Sequence, residues 1–349
     1  MSLLFGATPF LIPLVAERYG VSVGTAGLIS AVQVAGFAVT TFVAGRRWRP
    51  SRRKLVLAGI VGLVFNGLSA IAGSFELLLG LRLMAGSGAG VFTWLAWADA
   101  MRDRESMRTI AAVGPVTVLI GAPILAWIGS AAGTGGLYWA LAASLVPILI
   151  LRPDFDGAAR HQRRSMSPSR SNVVLLIALG ILTMAGSALF IFVGAFAATE
   201  IGMGVVAVSV GFSVNAAAGL AGARWKARSR HAWPWMCAIT LSASMLVVVP
   251  SQTVYFLAMI GWGFAFWMAI PTVLSAISEW SLVPEERVGD AQSIMAAGRA
   301  FGPVIGAALV GSGSYGPLGI FTGIGLGIAA VLVGMVERYR RGRQAPVAD

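Results

Sequence analysis

The sequence predicts an all-α polytopic membrane protein with twelve transmembrane helices in two halves of six. Three observations lead there. Hydrophobic residues make up 57% of the chain and charged residues 11%, against roughly a quarter charged in a soluble domain. The 349 residues could not hide that much apolar surface in cores of their own. The apolar residues fall in long runs without strand-like alternation, and lipid satisfies no backbone N–H or C=O group, so each run is helical. Finally, the basic stretch AGRRWRPSRR (Ala44–Arg53) returns as AGARWKARSR (Ala221–Arg230), 177 positions later and about half a chain away. That spacing marks a duplicated architecture.

Taken in order, the spans fall near 1–16, 23–45, 54–73, 77–100, 109–130, 133–151, 172–198, 202–223, 232–250, 253–277, 289–311 and 316–336. The first is shorter than the usual ~20 residues. It lacks the basic start and small-residue cleavage site of a signal peptide, so it reads as a retained span. Spans 1 to 6 form a first half, 1–151, and spans 7 to 12 a second, 172–338. A polar linker, 152–171, joins them, and a basic tail, 339–349, follows.

The cations orient these spans. Of the 26 Lys and Arg residues, 23 lie on alternate connections and in the tail; the opposite connections hold only Arg18. The positive-inside rule places the crowded side, and with it both termini, in the cytoplasm. Trp48 and Trp225 then mark the inner ends of spans 2 and 8, at headgroup depth. Arginine outnumbers lysine 24 to 2, a usage that goes with GC-rich bacterial genomes, which points to a bacterial plasma membrane.

Several function classes drop out. The +12 charge is spread in short clusters between apolar runs, with no nucleic-acid recognition module around them. The single cysteine, Cys237, forbids a disulfide framework and reads as a buried, inert thiol. His161 and His231 sit in basic loops without metal-ligand spacing, so no metal is expected. No Walker loop, zinc set or nucleophile elbow occurs, so neither an enzyme nor a cofactor is expected.

Four stretches carry a resemblance. Residues 20–54 are similar to a second span followed by the loop motif G-x-L-A-D-R-x-G-R-R. Gly45, Arg53 and Lys54 fit that motif, while Arg49 stands at its Asp and Arg52 at its second glycine. Arg82, Gly86 and Gly88 in LRLMAGSGAG fit a fourth-span pattern of arginine and glycine step. IGAPILAWIG, with Gly121 and Pro123, resembles the Gly-Pro motif of span 5 in antiporters, Ala122 replacing its glycine before the proline. Pro284–Leu309, with Gly302 and Pro303, looks like the span 10–11 loop and span 11 of many exporters.

Together these resemble the major facilitator superfamily, in the twelve-span branch that includes proton-coupled drug and metabolite exporters. The resemblance implies two six-helix bundles related by a pseudo-two-fold axis, rocking around a solute held between them. It implies a conformational latch at the loop motif. Asp99 and Asp103 at the inner end of span 4 are the candidates to replace its missing negative charge. The alternative is that Arg49 only adds to orientation.

Arg82 and Arg299 are the basic residues well inside spans, about 7–9 Å and roughly 15 Å deep by helix rise. A cation there costs at least about 2.5 kcal/mol, so each is expected to face protein or water. Each is a candidate for solute contact or coupling, the alternative being a structural arginine bonded to backbone carbonyls. Gln33 and Asn215 are candidate hydrogen-bonding groups, and Trp94, Trp262, Phe266 and Trp267 candidate apolar walls. No carboxylate lies at mid-depth, which favours a neutral or anionic solute over a cation.

The expected function is secondary active transport of a small organic solute, coupled to protons and directed outward, by a monomer in the lipid bilayer. Uptake symport of an anionic or polar nutrient is the alternative, and a non-transporting membrane sensor the third.

Overall fold

The computed structural model describes residues 2–48, 50–100, 104–151, 168–225, 231–281, 284–311 and 314–344. Every element among the described residues is a helix. The first six are α1 (Ser2–Tyr19), α2 (Val23–Arg47), α3 (Arg52–Ala70), α4 (Phe75–Ala100), α5 (Arg104–Ala143) and α6 (Val146–Leu151). The rest are α7 (Arg170–Phe190), α8 (Val193–Thr199), α9 (Val205–Arg224), α10 (Trp233–Val248), α11 (Gln252–Glu279), α12 (Pro284–Val310) and α13 (Gly316–Gln344).

Local chemistry sets many of the ends. Ser22, Ser169 and Ser251 cap α2, α7 and α11 by accepting from the N–H three residues on, which satisfies a donor the helix itself cannot pair. After α1 the chain turns at Gly20, whose φ of +63° suits a residue without Cβ.

Nine stretches among the described residues are long and apolar enough to cross a membrane, and Trp233–Val248 is a shorter apolar helix. One of the nine, Val113–Ile150, has 38 residues, about twice the length of one crossing. Here the structure corrects the expected boundaries. No loop separates the expected spans 5 and 6; the backbone folds back at Gly133 alone, with φ 60° and ψ −158°. A Cβ added at Gly129 would lie 3.2 Å from Leu137, so the two arms run side by side.

The expected sixth span is itself interrupted by a turn at Ser144–Leu145, and the expected seventh divides into α7 and α8 at Ile191–Phe192. Uniformly apolar sequence gives no sign of either break. The Phe192 side chain explains the second, because its fully buried ring fills the space above Gly27 and Gly306.

Within the first six helices α2 packs on α4, α3 on α4 and α5, and α1 on α5. Within the rest, α7 takes α12 and α13, and α11 takes α9 and α10. The pairs α2·α12, α5·α9 and α1·α8 join the two groups.

The duplication read from the basic loops recurs in the packing. Gly86 of α4 lies against the Gln33 carbonyl of α2, and Gly263 of α11 against the Asn215 carbonyl of α9. Those two glycines are again 177 positions apart. In each case the missing side chain lets two backbones touch, the way small residues hold membrane helices together. Gly90 repeats the contact one turn on, at Phe37, while Gly88 faces α3 instead.

Cys237 is exposed rather than buried. It shares an outward stripe of α10 with Leu241 and Met245, themselves 61% and 46% exposed. The stripe is apolar because it meets lipid, which hydropathy alone cannot tell from a protein core. Trp48, Trp139 and Trp225 are exposed as well, as interfacial aromatics are.

Candidate solute pathway

The two groups meet from mid-depth to the cation-poor end. Gly24 of α2 sits where a Cβ would lie 2.5 Å from the Ala307 carbonyl and 3.0 Å from the Gly311 nitrogen. Gly27 faces the Phe192 ring, and a Cβ on Gly194 would lie 2.9 Å from the Pro9 carbonyl. Ser213 of α9 donates to the Leu119 carbonyl of α5 at 3.1 Å. A row of edge-to-face rings also crosses: Phe10 to Phe212 at 5.6 Å, Phe212 to Phe190 at 5.4 Å and Phe190 to Trp262 at 5.4 Å. These four side chains come from α1, α9, α7 and α11 and join the two groups with apolar surface.

Trp262 was among the expected walls; Phe10, Phe190 and Phe212 were not, since nothing in the sequence separates them from ordinary apolar filling. The other candidate aromatics lie apart. Trp94 packs on Trp48 at 6.4 Å, near the basic end. Trp267 fills the gap at Gly219 between α11 and α9, and its neighbour Phe266 touches it at 6.1 Å.

Arg82 and Gln33 come together. Arg82 is 1% exposed, and its guanidinium donates through Nη1 to Gln33 Oε1 at 3.2 Å. Nη2 donates to Asn66 Oδ1 and Ser69 Oγ, each at 2.9 Å, and to the Phe65 carbonyl at 3.3 Å. Nε reaches Ser69 Oγ at 3.2 Å, and the Tyr138 ring lies 4.6 Å from the guanidinium carbon. Three helices of the first group, α2, α3 and α5, thus converge on one cation of α4, through neutral partners throughout. The second group holds a related pair without the cation: Asn215 Nδ2 donates to the Met259 carbonyl at 2.8 Å. Met259 stands 177 positions after Arg82.

Arg299 differs. Its side chain is half-buried and makes no hydrogen bond or ion pair with any described residue. Nearby on α12, Gly302 and Pro303 are buried, and Gly302 abuts Ser187 and Ala188 of α7. In α5, Gly121 is buried and Pro123 is exposed.

At the basic end, Arg53 is exposed, and Lys54 Nζ donates to Ser51 Oγ at 3.4 Å. Arg49 and Asp103, with the surroundings of Gly45 and Asp99, lie outside the described residues. Arg18, seen in the sequence only as the odd cation of its side, ties this structure together. It donates to the Ala70 and Ala72 carbonyls and to Thr134 Oγ1 at 3.0–3.1 Å, closing the end of α3 beside the Gly133 bend.

Comparison with known proteins agrees with this architecture. The chain is 27% identical over 155 residues to the uncharacterized MFS-type transporter YceJ of Bacillus subtilis (strain 168). That match spans 42% of this chain and 40% of the relative, so less than half the length of either. Among solved structures, a bacterial homolog of the human lysosomal transporter Spinster, inward-facing and occupied, superposes with a TM-score of 0.71. It has 13% identity and covers 99% of this chain and 97% of that one. The human organic anion transporter MFSD10 gives 0.69 at 16% identity, covering 96% and 97%. The nucleoside transporter NupG gives 0.69 at 15%, covering 97% and 96%. Identities this low show the fold alone. The sequence profile of the Major Facilitator Superfamily matches residues 1–299. With its series of apolar membrane-length helices, the chain is a multi-pass membrane protein and belongs to the Major Facilitator Superfamily.

Proposed function

We propose that this protein moves a small organic solute across a bacterial plasma membrane by alternating access, exporting it against protons. In this reading the chain crosses the bilayer twelve times as a monomer, with both termini in the cytoplasm. Residues 1–151 and 172–338 rock against each other, and Arg53 and Lys54 tune the balance of access states.

The observation that carries the proposal is a contrast in bonding. Inside the first group Arg82 ties α4 to α2, α3 and α5 with a dense polar network. Across the groups, contact rests on Gly24, Gly27, Gly194 and a row of rings, with a single-donor hydrogen bond from Ser213 to the Leu119 carbonyl. Such close-fitting, mostly apolar surfaces separate and re-form while stripping few polar groups of partners. The contacts between the groups lie from mid-depth toward the cation-poor end, and in this reading the opposite, cytoplasmic end is the one that opens.

Uptake symport is the second reading, favoured by Arg299 in the membrane interior, which has no partner among the described residues and suits an anionic nutrient. Purified protein in liposomes under an imposed pH gradient tests both. Counter-movement of solute and protons is the expected result, co-movement selects the symporter, and no gradient-driven movement of any solute overturns transport.

A further inference from the structure

We propose that Arg299 anchors the solute and that the solute class is small organic oxyanions, bearing a carboxylate or a phosphate monoester. The inference rests on the transport reading and names the substrate chemistry of the same site.

The surface of α12 shows where Arg299 points. Gly298, Gly302 and Gly306 face α7, where added Cβ atoms would lie 2.6 Å from the Gly180 carbonyl, 2.9 Å from the Ala188 nitrogen and 2.6 Å from the Ala188 carbonyl. Ala307 meets Gly24 of α2. Phe301 and Val304, 63% and 45% exposed, face away from both neighbours, toward lipid. At roughly 100° per residue, Arg299 falls between the α7-facing and α2-facing rows, about 200° from Phe301. It therefore points toward the seam between the two helix groups. By helix rise it lies about 12 Å along α12 from Ala307, below the closure at Gly24.

Its chemistry follows from what surrounds it. In the sequence the fourteen Asp and Glu residues all fall at the ends of the apolar runs or between them. On α12, Asp290 is already engaged by Arg287 at 2.6 Å. Arg82, by contrast, spends its donors on protein acceptors. Arg299 keeps its planar fork of N–H donors, a shape that matches carboxylate and phosphate oxygens two at a time. A half-buried cation with no partner among the described residues attracts an oxyanion and repels a cationic solute.

The test is binding to the purified full-length protein in detergent, read as a shift in Tm. The probes are carboxylates and phosphate monoesters, each beside its neutral counterpart, including benzoate with benzamide and glucose 6-phosphate with glucose. Oxyanions should raise the wild-type Tm with increasing concentration while their neutral counterparts do not. Arg299→Gln should abolish that shift, and Arg299→Lys should weaken apparent affinity about tenfold or more by losing the fork. Without ligand, Arg299→Gln should melt no lower than wild type, because it removes an uncompensated charge; this keeps the test clear of misfolding. Equal responses to anionic and neutral probes, no response to any oxyanion, or an undiminished shift in Arg299→Gln would each overturn the assignment. Oxyanion binding that depends on Arg299, without gradient-driven movement in liposomes, would instead fail the transport reading alone.

Discussion

Gly24→Leu is expected to stop turnover while leaving the protein folded. The substitution leaves untouched the contacts of α2 with α4 and of α12 with α7, which hold each group together. It places an isobutyl group where even a Cβ would lie 2.5 Å from the Ala307 carbonyl and 3.0 Å from the Gly311 nitrogen. Neither is a flexible side-chain end that can swing away. The closure at the cation-poor end then cannot form, and molecules collect in the opposite state. Inverting a two-state balance from 99:1 to 1:99 takes about 5.5 kcal/mol, a penalty within reach of a backbone clash of this kind. Initial transport rates should fall about a hundredfold with an unchanged elution profile in detergent. A rate near wild type would show that α2 and α12 do not separate and rejoin during the cycle.

Arg82→Gln should have the opposite signature, a large loss of stability with transport retained per folded molecule. The shorter side chain cannot span from Gln33 to Ser69, so Gln33 Oε1 and Asn66 Oδ1 lose their donors in a buried site. Each acceptor left unsatisfied costs about 1–3 kcal/mol, and the lost packing over Tyr138 adds to this. Arg82→Lys should fall between, since it keeps the charge but not the geometry that reaches α2 and α3 together. Melting temperature measured beside initial rate per folded molecule separates the cases. A wild-type Tm with abolished transport would move Arg82 from the scaffold to the solute pathway.

The pair Arg82 and Arg299 shows how far the sequence can be read. Both are lone cations in apolar runs, and insertion cost says the same of each. Only the three-dimensional setting distinguishes a guanidinium bonded to Gln33, Asn66 and Ser69 from one with no partner among the described residues. The positions of the helices were legible because lipid forces long apolar runs, and the duplication because two basic loops share spacing. The fold-back at Gly133 was not, since one glycine among 44 carries no mark of its φ. The break between α7 and α8 is set by where the Phe192 ring packs, a contact with α2 and α12 from far away in the chain. The same holds for the ring row of Phe10, Phe212, Phe190 and Trp262, whose members belong to four helices. Cys237 was misread because an outward stripe facing lipid and an inward stripe facing protein are equally apolar.

Alternating access itself is tested most directly by paired distances between spin labels on the two helix groups. Cys237 is first replaced by Ser. One label pair then sits at Gly73 and Glu200 toward the cation-poor end, another at Arg47 and Arg224 toward the basic end; neither Glu200, Arg47 nor Arg224 is buried. In lipid, across a pH range and with a bound oxyanion, the outer distance should lengthen as the inner one shortens, in the same fraction of molecules. Two distributions that stay fixed, or that change together in the same direction, would contradict a rocking transporter.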